Sequence, residues 1–317
     1  MNSPRITVVI PAYNCERWIA ETLRSIQEQT FSSWECVVVD DGSPDRCAQL
    51  VSDIAMADHR IRLVRQANGG ISLARNRGIA EGDSQAEFLN FLDADDVLEP
   101  RAFAVLVEAA EANPARVGVQ SLGDFIDENG KPFDTGAFAK LGRSRMDGSS
   151  GRMEAWPLDR PSTLATVASA STAFPLGMSI LRRREVIEAG CFDPLIRHAE
   201  DWDLLMRLCR RGDLHFLNQV LIGYRRHSAN SGAKSDIPEW CRRAFWKNYH
   251  APGLSPEHRE LFRNIYRARQ RNILDVRRNQ MSQAMKKGRI FKATAEASRL
   301  PFITYRRMRG SPSLGWL

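Results

Sequence analysis

The sequence predicts an α/β fold on a mostly parallel sheet, with helices on both faces and a helical C-terminal extension. Three observations predict it. The chain opens with Ile6-Thr7-Val8-Val9-Ile10, five β-branched residues in a row. Short apolar runs then alternate with helix-length amphipathic segments through the first 120 residues. Each of the early runs ends in turn-forming, polar or acidic residues, as strands feeding ligand-binding loops do.

The elements follow in order. Ile6–Ile10 lacks polar/apolar alternation, so it is a strand buried on both faces. Trp18, Ile19, Leu23 and Ile26 recur at helical spacing and give the next segment one apolar side. Cys36–Val39 is a second buried strand, and Ser43-Pro44 is placed as an N-cap followed by proline at the first helical position. Ile61–Val64, a helix over Leu73–Ala80, and Phe88–Leu92 continue the alternation, which a helix over Pro100–Ala112 and a strand at Val117–Gln120 complete. Glu128-Asn129-Gly130-Lys131 is a turn, and the Gly/Ser-rich stretch Gly142–Gly151 is expected to be a mobile loop. Ala173–Leu181 is predicted as a strand, Glu200–Arg210 as an amphipathic helix and Leu214–Tyr224 as a strand. Beyond Ser228 the pattern is helical, with Leu261, Phe262, Ile265 and Tyr266 on one stripe. The organisation expected is a catalytic domain over residues 1–230 and a basic helical extension over 231–317.

Composition narrows the class. At 317 residues, with 43% hydrophobic and 26% charged content, the chain is that of an ordinary globular protein. No run approaches the ~20 apolar residues of a membrane span, and no secretory leader is apparent. The six cysteines form no C-x-x-C pair or zinc-like spacing, which points to reduced thiols and a cytoplasmic setting. Net charge is unevenly distributed. Residues 239–317 carry 18 Lys and Arg against 5 Asp and Glu, whereas the preceding 238 carry 27 against 33. A basic tail implies an anionic partner.

The strand ends carry the chemistry. Beyond the first stand Pro11, Ala12, Tyr13 and Asn14, and beyond the second Asp40, Asp41, Gly42 and Ser43. Asn68, Gly69 and Gly70 follow the third and lead to Ala74-Arg75-Asn76, and Asp93, Ala94, Asp95 and Asp96 follow the fourth. An aromatic ring, carboxylates, a glycine turn backed by an arginine and an acidic cluster suit a nucleotide. The ring offers a stacking face, the glycines a backbone approach to phosphate, and the cluster what a hard cation needs.

The runs Val8–Asn14, Val38–Ser43, Ala74–Gly78 and Phe91–Asp96 closely resemble glycosyltransferase family 2 of the GT-A fold, over residues 5 to 230. The resemblance implies an inverting, metal-dependent transfer of one sugar from a nucleotide-sugar donor, a UDP-sugar by family expectation. It implies that Pro11, Tyr13 and Asp41 surround the base, with Ala12, Asn14, Asn68, Gly70, Arg75 and Ala94 completing the nucleotide-sugar contacts. Asp93-Ala94-Asp95 becomes the DxD element, Asp95 a ligand of Mn²⁺ or Mg²⁺ and Asp93 a neighbour of ribose and metal. Glu200-Asp201 resembles the ED motif, which makes Asp201 the general base and sets Glu200 and Trp202 on the acceptor side. A carboxylate in a helix's first turn is held by the dipole and free amides, which suits a pre-organised base. Tyr224-Arg225-Arg226-His227 resembles the family's late basic element, with His227 a further metal ligand or a diphosphate contact. Ala173–Ser179 and Gly190-Cys191-Phe192-Asp193 resemble the acceptor-side strand and turn, although many relatives have glycine where Cys191 stands.

A Q-x-x-R-W element is lacking, which argues for single addition rather than processive synthesis. The acceptor expected is a glycan or lipid-linked glycan at the cytoplasmic face of a membrane. The tail, with Arg277, Arg278, Lys286, Lys287, Arg289 and the run Leu300–Arg307, is expected to dock on anionic lipid there. No nucleic-acid-binding module is recognisable. Two other readings stand lower: a sugar nucleotidyltransferase, whose early Gly-rich loop with a basic residue is missing, and a non-catalytic nucleotide-sugar scaffold, against which the intact Asp95 and Asp201 argue.

Overall fold

The computed structural model describes residues 3–136, 140, 143–146, 153–155, 160–169, 175–228, 230 and 237–286. An eight-stranded sheet forms its centre, in the order β3-β2-β1-β4-β9-β6-β10-β5. These strands are β1 (Ile6–Ala12), β2 (Trp34–Asp40), β3 (Ile61–Arg65), β4 (Phe88–Phe91), β5 (Val97–Leu98), β6 (Gly118–Ile126), β9 (Ser179–Arg182) and β10 (Leu214–Arg225). β7 (Ser144–Met146) and β8 (Met153–Ala155) pair separately. Pairings are parallel for β3-β2, β2-β1, β1-β4 and β6-β10, and antiparallel wherever β9 or β5 takes part. Six strands therefore run one way, and β9 and β5 oppose them. Burial of Ile6–Ile10 and Val37–Asp40 on both faces agrees with their unbroken apolar runs.

Crossover helices α1 (Ile19–Gln27), α2 (Cys47–Ala57), α3 (Ile71–Glu81) and α4 (Ala102–Ala112) cover the first half. Helix α1 buries Ile19, Leu23 and Ile26, the predicted stripe. Helix α3 lies so close to β1 that a Cβ at Gly78 would stand 2.2 Å from Val9 Cγ1. The second half supplies α5 (Leu164–Ser169), α6 (Arg183–Glu188), α7 (Glu200–Cys209), α8 (Ile237–Tyr249) and α9 (Pro256–Lys286). Ala244, Phe245, Phe262 and Ile265 of α8 and α9 join the same apolar cluster as Leu204 and Leu205 of α7, so these helices share the main core.

Several expectations need correction. Ser43-Pro44 does not cap α2, which starts at Cys47. Ser43 instead turns back, its N–H on Asp40 Oδ1 at 3.0 Å and its Oγ accepting from Asn14 N–H at 3.2 Å. The strand predicted from Ala173 begins only at Ser179, because Leu176–Met178 forms a 3-10 turn, and residues 171–174 lie outside the described residues. Of Gly142–Gly151, the expected loop, residues 144–146 form a strand. The tail beyond Lys286, including Lys287, Arg289 and Leu300–Arg307, lies outside the described residues.

Candidate active site

The carboxyl ends of β1, β2 and β4 and the N-terminus of α3 meet at one edge. At the end of β1, Ala12 is buried and Pro11 half-buried, whereas the next residue, Tyr13, is 56% exposed and presents an open ring face. Asn14 takes the left-handed conformation, φ 53°, which turns the chain toward α1. Past β2, the buried Asp41 collects three donors: Gly69 N–H and Gly70 N–H at 2.8 Å each, and Gln66 Nε2 at 2.8 Å. Asn68 donates its side-chain amide to the Asp41 carbonyl at 2.9 Å. The predicted glycine turn is thus held by the predicted carboxylate. Gly70 has φ 90°, which only glycine adopts without strain, and it faces open space at the start of α3.

Past β4, the acidic cluster divides its tasks. Asp93 Oδ1 lies 2.9 Å from Arg75 Nη2, and Asp95 Oδ2 lies 2.7 Å from His227 Nε2. Asp96 is fully buried and accepts the backbone N–H of Arg225 at 2.9 Å. Burial, then the Asp93 charge, pushes the Asp95 carboxyl up from its usual range, against the His227 contact that draws it down. Thr22 Oγ1 holds the Ala94 carbonyl at 3.0 Å.

Arg75 ties this cluster to α7. Its guanidinium is nearly inaccessible and reaches Glu200 Oε1 at 2.9 Å through Nη1, opposite its contact to Asp93. The next residue, Asp201, stands in the first turn of α7 beside this ion-pair triad. Its pKa is raised to about 7, by burial first and the Glu200 charge second, while Arg75 and the Trp202 N–H at 2.6 Å pull the other way. The Asp93 charge adds to the rise, so the two predicted motifs lie within electrostatic reach of each other. Trp202, expected on the acceptor side, is buried with its indole N–H on the Val167 carbonyl at 2.6 Å; it forms the floor beneath the helix. Glu200 is likewise buried and turned to Arg75 rather than outward.

Three further side chains brace the site through partners remote in the chain, which no spacing in the sequence reveals. Trp18 stacks on the His227 ring at 4.1 Å and 24°, anchored by its N–H on the Glu128 carbonyl. Arg225, 0% exposed, donates Nε to the Asp95 carbonyl at 2.7 Å and Nη1 to the Asp127 carbonyl at 3.1 Å, and it pairs with Glu21 at 2.8 Å. Asn76 exchanges two hydrogen bonds with the Phe192 backbone, at 2.8 and 2.9 Å, pinning the predicted Gly190–Asp193 turn to α3.

Asp95 and His227 fit a divalent cation. One carboxylate and one imidazole, converging at 2.7 Å, suit Mn²⁺, and Mg²⁺ also binds through one or two carboxylates with water and substrate phosphate. Among the described residues no group of three His, Cys, Asp or Glu surrounds such an ion.

The family model described as "Glycosyl transferase family 2" matches residues 7–190. An uncharacterized glycosyltransferase, EpsJ of Bacillus subtilis (strain 168), is 41% identical over 110 residues, which span 35% of this chain and 31% of that protein. An uncharacterized glycosyltransferase, alr2836 of Nostoc sp., is 31% identical over 230 residues, covering 72% of this chain and 66% of its own length. Among solved structures, S. aureus TarS 1–349 in complex with UDP-GlcNAc superimposes with a TM-score of 0.63 at 18% identity, over 92% of this chain and 79% of that one. The mannosyltransferase PcManGT from Pyrobaculum calidifontis, in complex with GDP-Man and Mn²⁺, gives 0.63 at 18% identity, over 98% and 83%. These two likenesses are of fold, the GT-A fold. Among the described residues no helix is long and apolar enough to cross a membrane.

Proposed function

The chain belongs to glycosyltransferase family 2, and from that premise we propose that it moves one sugar, with inversion, from a nucleotide-sugar donor to a hydroxyl of a glycan or lipid-linked glycan. A UDP-sugar is the donor of first choice. The observation that carries this reading is the double ion pair of Arg75, which draws Asp93 and the first turn of α7 to one place. A donor-side acidic cluster and a proton acceptor on the acceptor side are what inverting transfer requires.

Asp201 is the general base. With a pKa raised to about 7 it ionises near neutrality and still holds a proton firmly once it has taken one. Glu200 and Arg75 orient that turn of the helix. Tyr13 offers its exposed ring to the base, and Asp41 keeps the Gly69-Gly70 turn in shape for the diphosphate. Asp95 and His227 hold a Mn²⁺ or Mg²⁺ ion, with Asp93 beside them. When bound, such an ion supplies Lewis-acid stabilisation of charge on the departing diphosphate. The nucleotide sugars and Mn²⁺ named for the TarS and PcManGT complexes support a donor and a cation of this kind.

Residues 1–230 form the catalytic unit in this reading. Residues 231–317 are a basic extension that brings it to the cytoplasmic face of an anionic membrane, within cell-surface polysaccharide assembly. Asp201→Asn tests the assignment. It should keep donor affinity, measured by thermal shift over a panel of nucleotide sugars, and lose roughly 10²–10⁴-fold in transfer. Near-native turnover by Asp201→Asn would remove Asp201 from the role. Co-sedimentation with vesicles tests the extension, and binding indifferent to anionic lipid content would remove that role.

A further inference from the structure

Helix α7 has a second end. Roughly 15 Å from Asp201, at 1.5 Å per residue, a cavity of about 400 Å³ opens between α6, α7 and the start of α9, lined by Glu188, Arg207, Arg210, Arg211, Ser255 and His258 among others. Three guanidiniums and an imidazole thus share one cavity with a single carboxylate. That carboxylate is already engaged, since Glu188 lies 2.7 Å from Arg184 and also pairs with Arg211.

The three arginines differ. Arg207 forks onto Asp203 at 2.7 and 3.0 Å and gives Nη1 to the Ala189 carbonyl at 2.5 Å. Arg211 gives Nε to Glu185 at 2.7 Å. Both are fixed in direction by these contacts. Arg210 is half-buried, and among the described residues its guanidinium has no hydrogen-bond or ion-pair partner. Burial, then the charge of Arg207, holds its pKa below the usual arginine value. A half-buried cation next to like charge and without a counter-ion is an unrelieved electrostatic cost. The positive end of the 31-residue α9 adds to the same field, with Ser255 Oγ accepting the His258 N–H at 3.1 Å.

We propose that this cavity binds a phosphate group, carried as a mono- or diester. A tetrahedral phosphate oxyanion accepts from guanidinium forks lying in different planes, which a flat carboxylate does less completely. The volume exceeds that of phosphate alone and leaves room for the organic part of the ester. The site stands apart from the catalytic groups and does not rest on their assignment.

Arginine-selective labelling of the full chain with phenylglyoxal, followed residue by residue by peptide mass spectrometry, tests it. Inorganic phosphate should slow labelling of Arg210 severalfold compared with chloride at equal ionic strength. It should leave Arg46, which is 80% exposed and remote from the cavity, unchanged. Labelling of Arg210 that is indifferent to phosphate, or equally slowed by chloride, overturns the proposal. Arg210→Gln provides a second readout: it should keep the wild-type Tm in chloride and show a smaller phosphate-dependent rise. An undiminished rise in Arg210→Gln also overturns it. Repeating the labelling with phosphatidylglycerol vesicles and with glucose 1-phosphate distinguishes the sources. Protection by vesicles assigns the phosphate to a lipid headgroup, and protection by the sugar phosphate alone assigns it to a soluble ester.

Discussion

Replacing Arg75 by methionine isolates the contact that joins the two halves of the site. The side chains of Arg75 and Glu200 are 4% and 8% exposed, and that of Asp93 is 28% exposed, with both contacts at 2.9 Å. Removing one partner of a buried ion pair costs about 3–5 kcal/mol, because a charge is left without compensation. Most of that falls on Glu200, the less accessible carboxylate. Against a total stability of about 5–15 kcal/mol, Arg75→Met should fold with much of its margin lost. Arg75→Met/Glu200→Gln removes the worst orphan and should recover about 2 kcal/mol, a coupling that a double-mutant cycle reads directly. The assay is urea unfolding followed by Trp fluorescence. A deficit below about 1 kcal/mol, or no recovery in the double variant, would refute the reasoning that a buried bridge holds the halves together.

Other outcomes follow from the same geometry. Asp201 must be ionised to accept a proton, so kcat/KM for transfer should rise as pH passes about 7, and Glu200→Gln should move that limb to lower pH by removing a like charge; an unmoved limb counts against the assignment. The raised pKa also means that ionised Asp201 weakens the fold as pH climbs toward 7, so Asp201→Asn should gain stability relative to the parent more at pH 8 than at pH 4, measured by urea midpoints. Asp95→Ala and His227→Ala should each weaken Mn²⁺ binding in the presence of nucleoside diphosphate, by more than roughly tenfold for Asp95→Ala, counted as free Mn²⁺ by electron paramagnetic resonance. Gly78→Ala drives a methyl into Val9, and it should lower stability by about 1–3 kcal/mol despite alanine's better helix propensity, checked by the shift in Tm.

Local and global information divide cleanly here. The early strands were legible because burial on both faces writes an unbroken apolar run, as in Ile6–Ile10 and Val37–Val39. The loops that follow them were legible because carboxylates and glycines beyond such runs have little packing purpose. Where a two-residue signal had to place a helix start, Ser43-Pro44, tertiary hydrogen bonds to Asp40 and Asn14 overrode it. The antiparallel insertion of β9 between β4 and β6 was not legible, since four residues carry no direction. Trp202 illustrates the limit at the site itself: its position beside Asp201 says nothing about which way the indole points, and it points into the core. Arg75 had the right address, but the two carboxylates it joins lie 18 and 125 residues away. No spacing rule spans such distances.

The contacts of Arg225 have a consequence for the order in which this enzyme comes into being. One side chain near the end of the last long strand clasps the Asp95 carbonyl, the turn at Asp127 and Glu21 of the first helix, while its backbone amide secures Asp96. A nascent chain that has released its first 200 residues from the ribosome already owns the aspartates but lacks the clasp. The contacts that hold the acidic loop are therefore complete only once residue 225 has emerged.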